Sequence, residues 1–186
     1  MFFGHKKQEP QEDLANLKIT DAQVGDTLSI AGAAEDFSDI DFTVDRCDTY
    51  EAGPRRWVEL SGDWRDRRVR LEVHREDTVE VLGNFDGRSI TLDELGLTEE
   101  DLAEIDDRQN PNDFIDYAGK FWLYRFSREM CLFAAGDTIG RGFYAWQFQE
   151  QDGKRFLSIR KFEGEPFVGS LWVRIDPADI TVFRGR

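Results

Sequence analysis

The stretch GFYAWQFQEQDGKRFLSIRKF, residues 142–162, reads as a β-hairpin with a definite register. Asp152-Gly153 is the dipeptide favoured in a two-residue type I′ turn, because both central residues of that turn need positive φ. Setting Gln151 opposite Lys154 pairs Phe148 with Leu157 and Trp146 with Ile159 on one face. The other face pairs Gln149 with Phe156, Gln147 with Ser158 and Ala145 with Arg160, and is mostly polar. A slip of one residue would turn Trp146 and Phe148 to water, so burial and turn chemistry predict the same pairing. The hairpin is expected to form the centre of the core.

On both sides of it the chain keeps a strand-like pattern. Leu17 to Ile30 is predicted to hold two short strands around Gly25-Asp26. Ile40, Phe42 and Val44 alternate with Asp41, Thr43 and Asp45, as in a half-buried strand. Gly53-Pro54 leads into a second hairpin with arms over 56–60 and 68–74, Val69, Leu71 and Val73 facing inward. Further strands are predicted over 78–82, 121–126, 130–134, 166–172 and 180–183. Between the halves, Thr91 precedes Leu92-Asp93-Glu94-Leu95, and Thr98 precedes Glu99-Glu100-Asp101-Leu102. Each threonine has a carboxylate three residues on, the spacing of a capping box. Gly96 stops the first short helix and Asn110-Pro111 the second.

The predicted fold is mainly β, a β-dominated α+β arrangement of two antiparallel sheets or part-barrels joined by a short helical connector. The boundaries are a flexible tail over 1–16, a β subdomain over 17–88, the connector over 89–112 and a second β subdomain over 113–186.

A chain of 186 residues with 40% hydrophobic content can bury a core of this kind. The net charge of −14 disfavours nucleic acid as a partner, since phosphate binding needs a positive surface. Cys47 and Cys131 have no metal-ligand spacing and read as free thiols, with a disulfide as the alternative. No signal peptide and no membrane-spanning apolar run is visible, which predicts a cytoplasmic protein. The tail has two readings. One is a disordered terminus; the other is a weak, reversible contact with the inner membrane, Phe2 and Phe3 entering the interface and Lys6 and Lys7 facing anionic heads.

Catalytic motifs are scarce. His5 and His74 are the two histidines, too few for a confident triad or a zinc site. The acids around Asn110 and Asn112 lack calcium-loop spacing. The glycines of GDTIGRG, 136–142, lead into a strand rather than a phosphate-binding helix. No catalytic residue, cofactor or metal is therefore predicted. The charge anomaly is Arg55, Arg56, Arg65, Arg67, Arg68 and Arg70, gathered in one short stretch of an acidic chain. Arginines in such a cluster suit anionic partners through bidentate contacts, or else pair with the protein's own acids. Trp64, read as a loop residue beside them, completes a candidate interaction surface.

Trp57-Val58-Glu59-Leu60 and Leu71-Glu72-Val73, then Tyr117-Ala118-Gly119-Lys120-Phe121, Trp146-Gln147-Phe148, Phe156-Leu157-Ser158-Ile159, Gly169 and Ile180-Thr181-Val182, form a pattern. It resembles the bacterial family catalogued as domain of unknown function 4178, and so does the tail with Phe2-Phe3-Gly4 and Lys6-Lys7. Two stretches depart from the family pattern: Arg160-Lys161-Phe162 and 125–132. The resemblance implies no catalytic residues. It implies a cytoplasmic accessory role, in the company of phage-shock-type membrane-stress proteins and polyamine-synthase-like enzymes. The expected function is a non-catalytic accessory or adaptor that holds a protein partner in an envelope-stress context. The alternative is a binder of, or enzyme acting on, a small cationic ligand such as a polyamine, which the net charge would attract.

Overall fold

The computed structural model describes residues 17–151 and 153–185. The predicted membrane contact at Phe2, Phe3, Lys6 and Lys7, His5, and the Asp152 half of the hairpin turn lie outside the described residues. The protein is mainly β. Its strands are β1 (Thr27–Ile30), β2 (Ile40–Thr43), β3 (Arg46–Ala52), β4 (Arg55–Trp64), β5 (Arg67–Arg75) and β6 (Val79–Asn84). Two short helices follow, α1 (Leu92–Leu95) and α2 (Glu99–Arg108). Then come β7 (Phe114–Tyr117), β8 (Lys120–Phe133), β9 (Arg141–Glu150), β10 (Arg155–Phe162), β11 (Val168–Ile175) and β12 (Ile180–Phe183).

The hairpin β9–β10 has the register its side chains dictate: Phe148 lies opposite Leu157, Trp146 opposite Ile159 and Ala145 opposite Arg160. Both capping boxes form, the Thr91 and Thr98 side chains each accepting from the backbone N–H three residues on. Three expectations about the elements themselves are corrected. The segment before Gly25 is a 3-10 turn, Ile19–Asp21, so only one strand, β1, forms between Leu17 and Ile30. The two strands predicted over 121–134 are one, β8, in which a bulge at Arg125 breaks the alternation. Trp64 is not in a loop: it ends β4, next to the Arg65-Asp66 turn, and packs partly on the first core.

Eight strands close into an antiparallel barrel, in the order β3-β4-β5-β6-β11-β10-β9-β8 and back to β3. Two seams join the halves of the chain: Val81 to Gly83 of β6 against Ile175 to Val173 of β11, and Thr49 to Glu51 of β3 against Phe133 to Cys131 of β8. A separate sheet, β12-β1-β2, covers one side of the barrel. There Leu28, Ile30, Ile40, Phe42 and Val182 meet Val69, Leu71 and Val73. These three valine and leucine side chains are buried, but on the outer wall of the barrel. The hairpin's apolar face is also on an outer wall. Trp146, Phe148, Leu157 and Ile159 pack on Leu95, Leu102, Ile105 and Ile115 of the connector and β7.

Because side chains alternate along a strand, covering both outer walls turns the other face of every strand inward. The mostly polar face of the hairpin, with Gln147, Ser158 and Arg160, lines the lumen. The bulge at Arg125 does the same for β8. Ahead of it Trp122 and Tyr124 join the outer core; beyond it Phe126, Arg128 and Met130 line the lumen. A bulge re-aims the side chains that follow it in this way.

Candidate functional site

The lumen opens at the end of the barrel where Gly53-Pro54 turns β3 into β4, forming a cavity of about 360 Å³. Its walls mix apolar side chains, Phe126, Met130, Phe156 and Leu82 among them, with inward polar groups. Pockets of a few hundred Å³ with this mixture are the usual form of a small-molecule site.

Below the opening lies a buried polar network carried on four strands. Arg160 donates to Glu72 Oε1 at 2.6 Å and to the Tyr50 hydroxyl at 3.0 Å. Tyr50 in turn donates to Glu59 Oε2 at 3.3 Å, and Glu59 stands 3.8 Å from Arg160. His74 Nε2 shares a 3.2 Å hydrogen bond with Glu72 Oε2. One rung of the ladder stacks Tyr50, Trp57 and His74 side by side, ring centroids 5.7 and 4.9 Å apart. Arginine suits this place because its guanidinium can serve a carboxylate and a phenol at once while lying against aromatic faces; Arg160 sits 5.0 Å from the Tyr50 ring.

The two acids respond differently. Burial pushes Glu59 above its ordinary value, against the opposing charge of Arg160. Burial also acts on Glu72, but the His74 hydrogen bond and the Arg160 charge outweigh it and hold the carboxyl below its ordinary value. Glu72 is therefore the carboxylate that neutralises Arg160, and Glu59 is the acid that burial favours as neutral. The same burial, stronger than the attraction of Arg160, raises the Tyr50 hydroxyl and keeps it a donor.

The mouth is lined by Arg55, Arg125, Arg128 and Arg174 against Glu76 and Glu80. Arg55 pairs with Glu76 at 3.2 Å and Arg174 with Glu80 at 2.5 Å, while Arg125 donates to the Gln149 amide at 2.9 Å. The fold divides the predicted arginine surface: Trp64, Arg65 and Arg67 stay together around a second pocket of about 340 Å³ with Asp36 and Asp86, and the other four arginines go elsewhere. Arg56 meets Glu51 at 3.7 Å, Arg65 meets Asp36 at 3.5 Å and lies over the Trp64 ring, and Arg67 stands 4.0 Å from Asp66. Arg68 grips Asp45 at 2.5 Å and Asp63 at 3.3 Å, and Arg70 donates to Asn84 at 3.1 Å. Of the six arginines, only Arg55 lines the cavity mouth.

Among the described residues, no group of three or more His, Cys, Asp or Glu side chains is placed to hold a metal ion, and both cysteines are free. No helix among them is long and apolar enough to cross a membrane. Sequence reasoning missed Tyr50, Glu59, Glu72 and Arg160 as a group. The available signal was charged residues at alternate positions of strands otherwise rich in valine and leucine. It also missed Asp106, which accepts from Tyr144 at 2.9 Å and from Ser127, tying α2 to the barrel. Both stretches that depart from the family pattern supply lumen residues: Arg160 in one, Arg125, Phe126, Arg128 and Met130 in the other. No protein-family model, curated protein or solved structure matches the chain.

Proposed function

We propose that this protein is a non-catalytic accessory that works by holding a small molecule in the lumen of its barrel. The observation that carries the reading is the open cavity itself: aromatic and thioether walls above a buried network whose charges are already balanced. A network of that kind holds wall geometry firm without needing a ligand to neutralise it. His74 spends Nε2 on Glu72 and one ring face on Trp57, which suits a wall residue. The accessory role and the likeness to the domain-of-unknown-function family belong to this proposal. We favour an uncharged or anionic ligand over a polyamine, since four guanidinium groups stand against two carboxylates at the mouth. Titrating ¹⁵N-labelled protein with 2-naphthalenemethanol, an uncharged planar probe, tests the reading. The expected result is movement of the Trp57 indole and Met130 signals. Shifts confined to residues of the outer walls would refute it.

A second reading keeps the adaptor role through β7, which among the described residues has a strand neighbour on one side only. Its Phe114 stacks edge-on against Phe121 at 5.1 Å, and the two rings are 55% and 49% exposed. An exposed edge with anchoring aromatics suits an extended segment of a protein partner. Loss of a captured partner on Phe114→Asp, with unchanged thermal stability, is the expected outcome.

A further inference from the structure

Two residues lining the same cavity carry hydrogen-bond donors with no acceptor among the described residues, one of them covered from solvent. The first is Trp57 Nε1. The residue is 8% exposed, and its indole N–H is buried with no acceptor from the protein. Buried donors in native proteins nearly always have a partner, so an orphan calls for a physical account. The second is Arg128, whose guanidinium lies 3.9 Å from the centre of the Phe126 ring. The other arginines around the cavity are engaged by Glu76, Glu80, Glu72 or Gln149. Among the described residues Arg128 meets no carboxylate, although the chain carries 38. Its charged form is disfavoured first by burial and then by the neighbouring charge of Arg55. An acid could have stood there at no cost in composition; the position is instead left cationic.

Arg128 stands at the open end of the barrel, and Trp57 lies further in, on the rung of Tyr50 and His74. Arg55 and Trp57 are two apart on β4, on the lumen side, and Arg55 lies opposite Ala52 at the end of β3. Arg128 lies beyond the rung that pairs Glu51 with Cys131, next to Met130 on the same wall. A guanidinium donates and does not accept, so the complement of Arg128 is an oxygen-rich anion. The apolar walls of Phe126, Met130 and Phe156 call for an apolar body behind that head.

We propose that the lumen takes an organic carboxylate with an apolar, planar or short-chain body, its head received by Arg128 and its body reaching inward past Phe126 and Met130 toward Trp57. This rests on the lumen-binding reading and names its ligand class. Glu59 and Glu72 stay committed to Arg160 and Tyr50, so they do not oppose the head at the mouth.

The test compares three probes with one ring system and different heads: 2-naphthoate, 2-naphthalenemethanol and 2-naphthylmethylammonium, titrated calorimetrically into the full chain. A charge-assisted hydrogen bond leads us to expect naphthoate to bind about tenfold or more tighter than the alcohol, and the ammonium weakest. Arg128→Gln should close the gap between naphthoate and alcohol, weakening naphthoate far more than the alcohol. Arg128→Lys should restore part of it. Arg128→Gln breaks no ion pair, so its melting temperature serves as the check on folding. Equal binding of all three heads, or a naphthoate preference that survives Arg128→Gln, would overturn the carboxylate assignment and leave the lumen reading standing. Tightest binding of the ammonium would overturn the assignment as well. Absence of binding by all three at millimolar concentration would overturn both.

Discussion

Replacing Glu72 by Gln should cost far more stability than the same change at Glu59, although both acids are buried and both face Arg160. Glu72 makes the short contact, 2.6 Å, with side-chain exposures of 15% for the arginine and 9% for the acid. Glu59 stands 3.8 Å away. Removing one member of a buried pair leaves the other charge uncompensated and costs about 3–5 kcal/mol. Gln keeps one acceptor for Arg160, which places Glu72→Gln near the lower figure, about 3 kcal/mol. For a chain of this length, 1 kcal/mol moves Tm by roughly 2–4 °C, so the expected loss is roughly 6–12 °C. Glu59→Gln keeps an acceptor for Tyr50 and leaves the Arg160–Glu72 pair intact, so it should change stability by less than about 1 kcal/mol at pH 5.

The two variants also differ in how stability follows pH. Glu59 has a folded-state pKa raised above the ordinary 4.5. Between those two values the folded protein holds a proton that the unfolded chain has released, so this group makes stability fall as pH rises through the window. Glu59→Gln removes that fall and should gain on the wild type as pH climbs above 4.5. Glu72 has a lowered folded-state pKa. Its contribution is complete above 4.5 and is lost as pH falls through the folded value. The deficit of Glu72→Gln should therefore be largest at neutral pH and shrink in acid. Denaturant unfolding of both variants at pH 4, 5.5 and 7.5 measures all of this. Equal losses in the two variants, or a Glu72→Gln deficit that is the same at every pH, would sink the assignment of Glu72 as the counter-ion.

Gly62→Ala should destabilise by about 1–3 kcal/mol, because a Cβ there would run into the Thr43 carbonyl and the Phe42 ring of the covering sheet; thermal unfolding reads the loss. Asp26 is 1% exposed and accepts from Arg184 at 2.7 Å and from the Gln23 and Gly185 backbone N–H groups at 3.0 Å each. Asp26→Ala should cost about 3–5 kcal/mol, with amide exchange accelerated first in β12. Tyr144→Phe deletes the hydroxyl that holds Asp106 and should cost about 1 kcal/mol. Its mark is faster hydrogen exchange in α2 with the barrel strands unchanged.

The lumen was illegible in the sequence because alternation says that two faces of a strand differ, not which one is covered. Gln147, Ser158 and Arg160 look like a solvent face until the outer wall is seen to be taken by α2 and β7. Val69, Leu71 and Val73 look like an interior until the β12-β1-β2 sheet is seen to cover them from outside. The arginine stretch looked like one patch because sequence proximity was read as proximity of side chains. Alternation and the turn at Arg65-Asp66 send its members to different partners instead.

By itself the sequence determined what short-range chemistry controls: the pairing of Phe148 with Leu157, the capped starts of α1 and α2, and a mainly β chain. Only the tertiary structure decided closure. The seams at Tyr50 with Leu132 and Val81 with Ile175 join residues far apart in the chain, where nothing local marks one strand for the other. Once those edges meet, the polar faces have nowhere to point but inward, and Arg160, Glu72, Trp57 and Arg128 come to share one cavity.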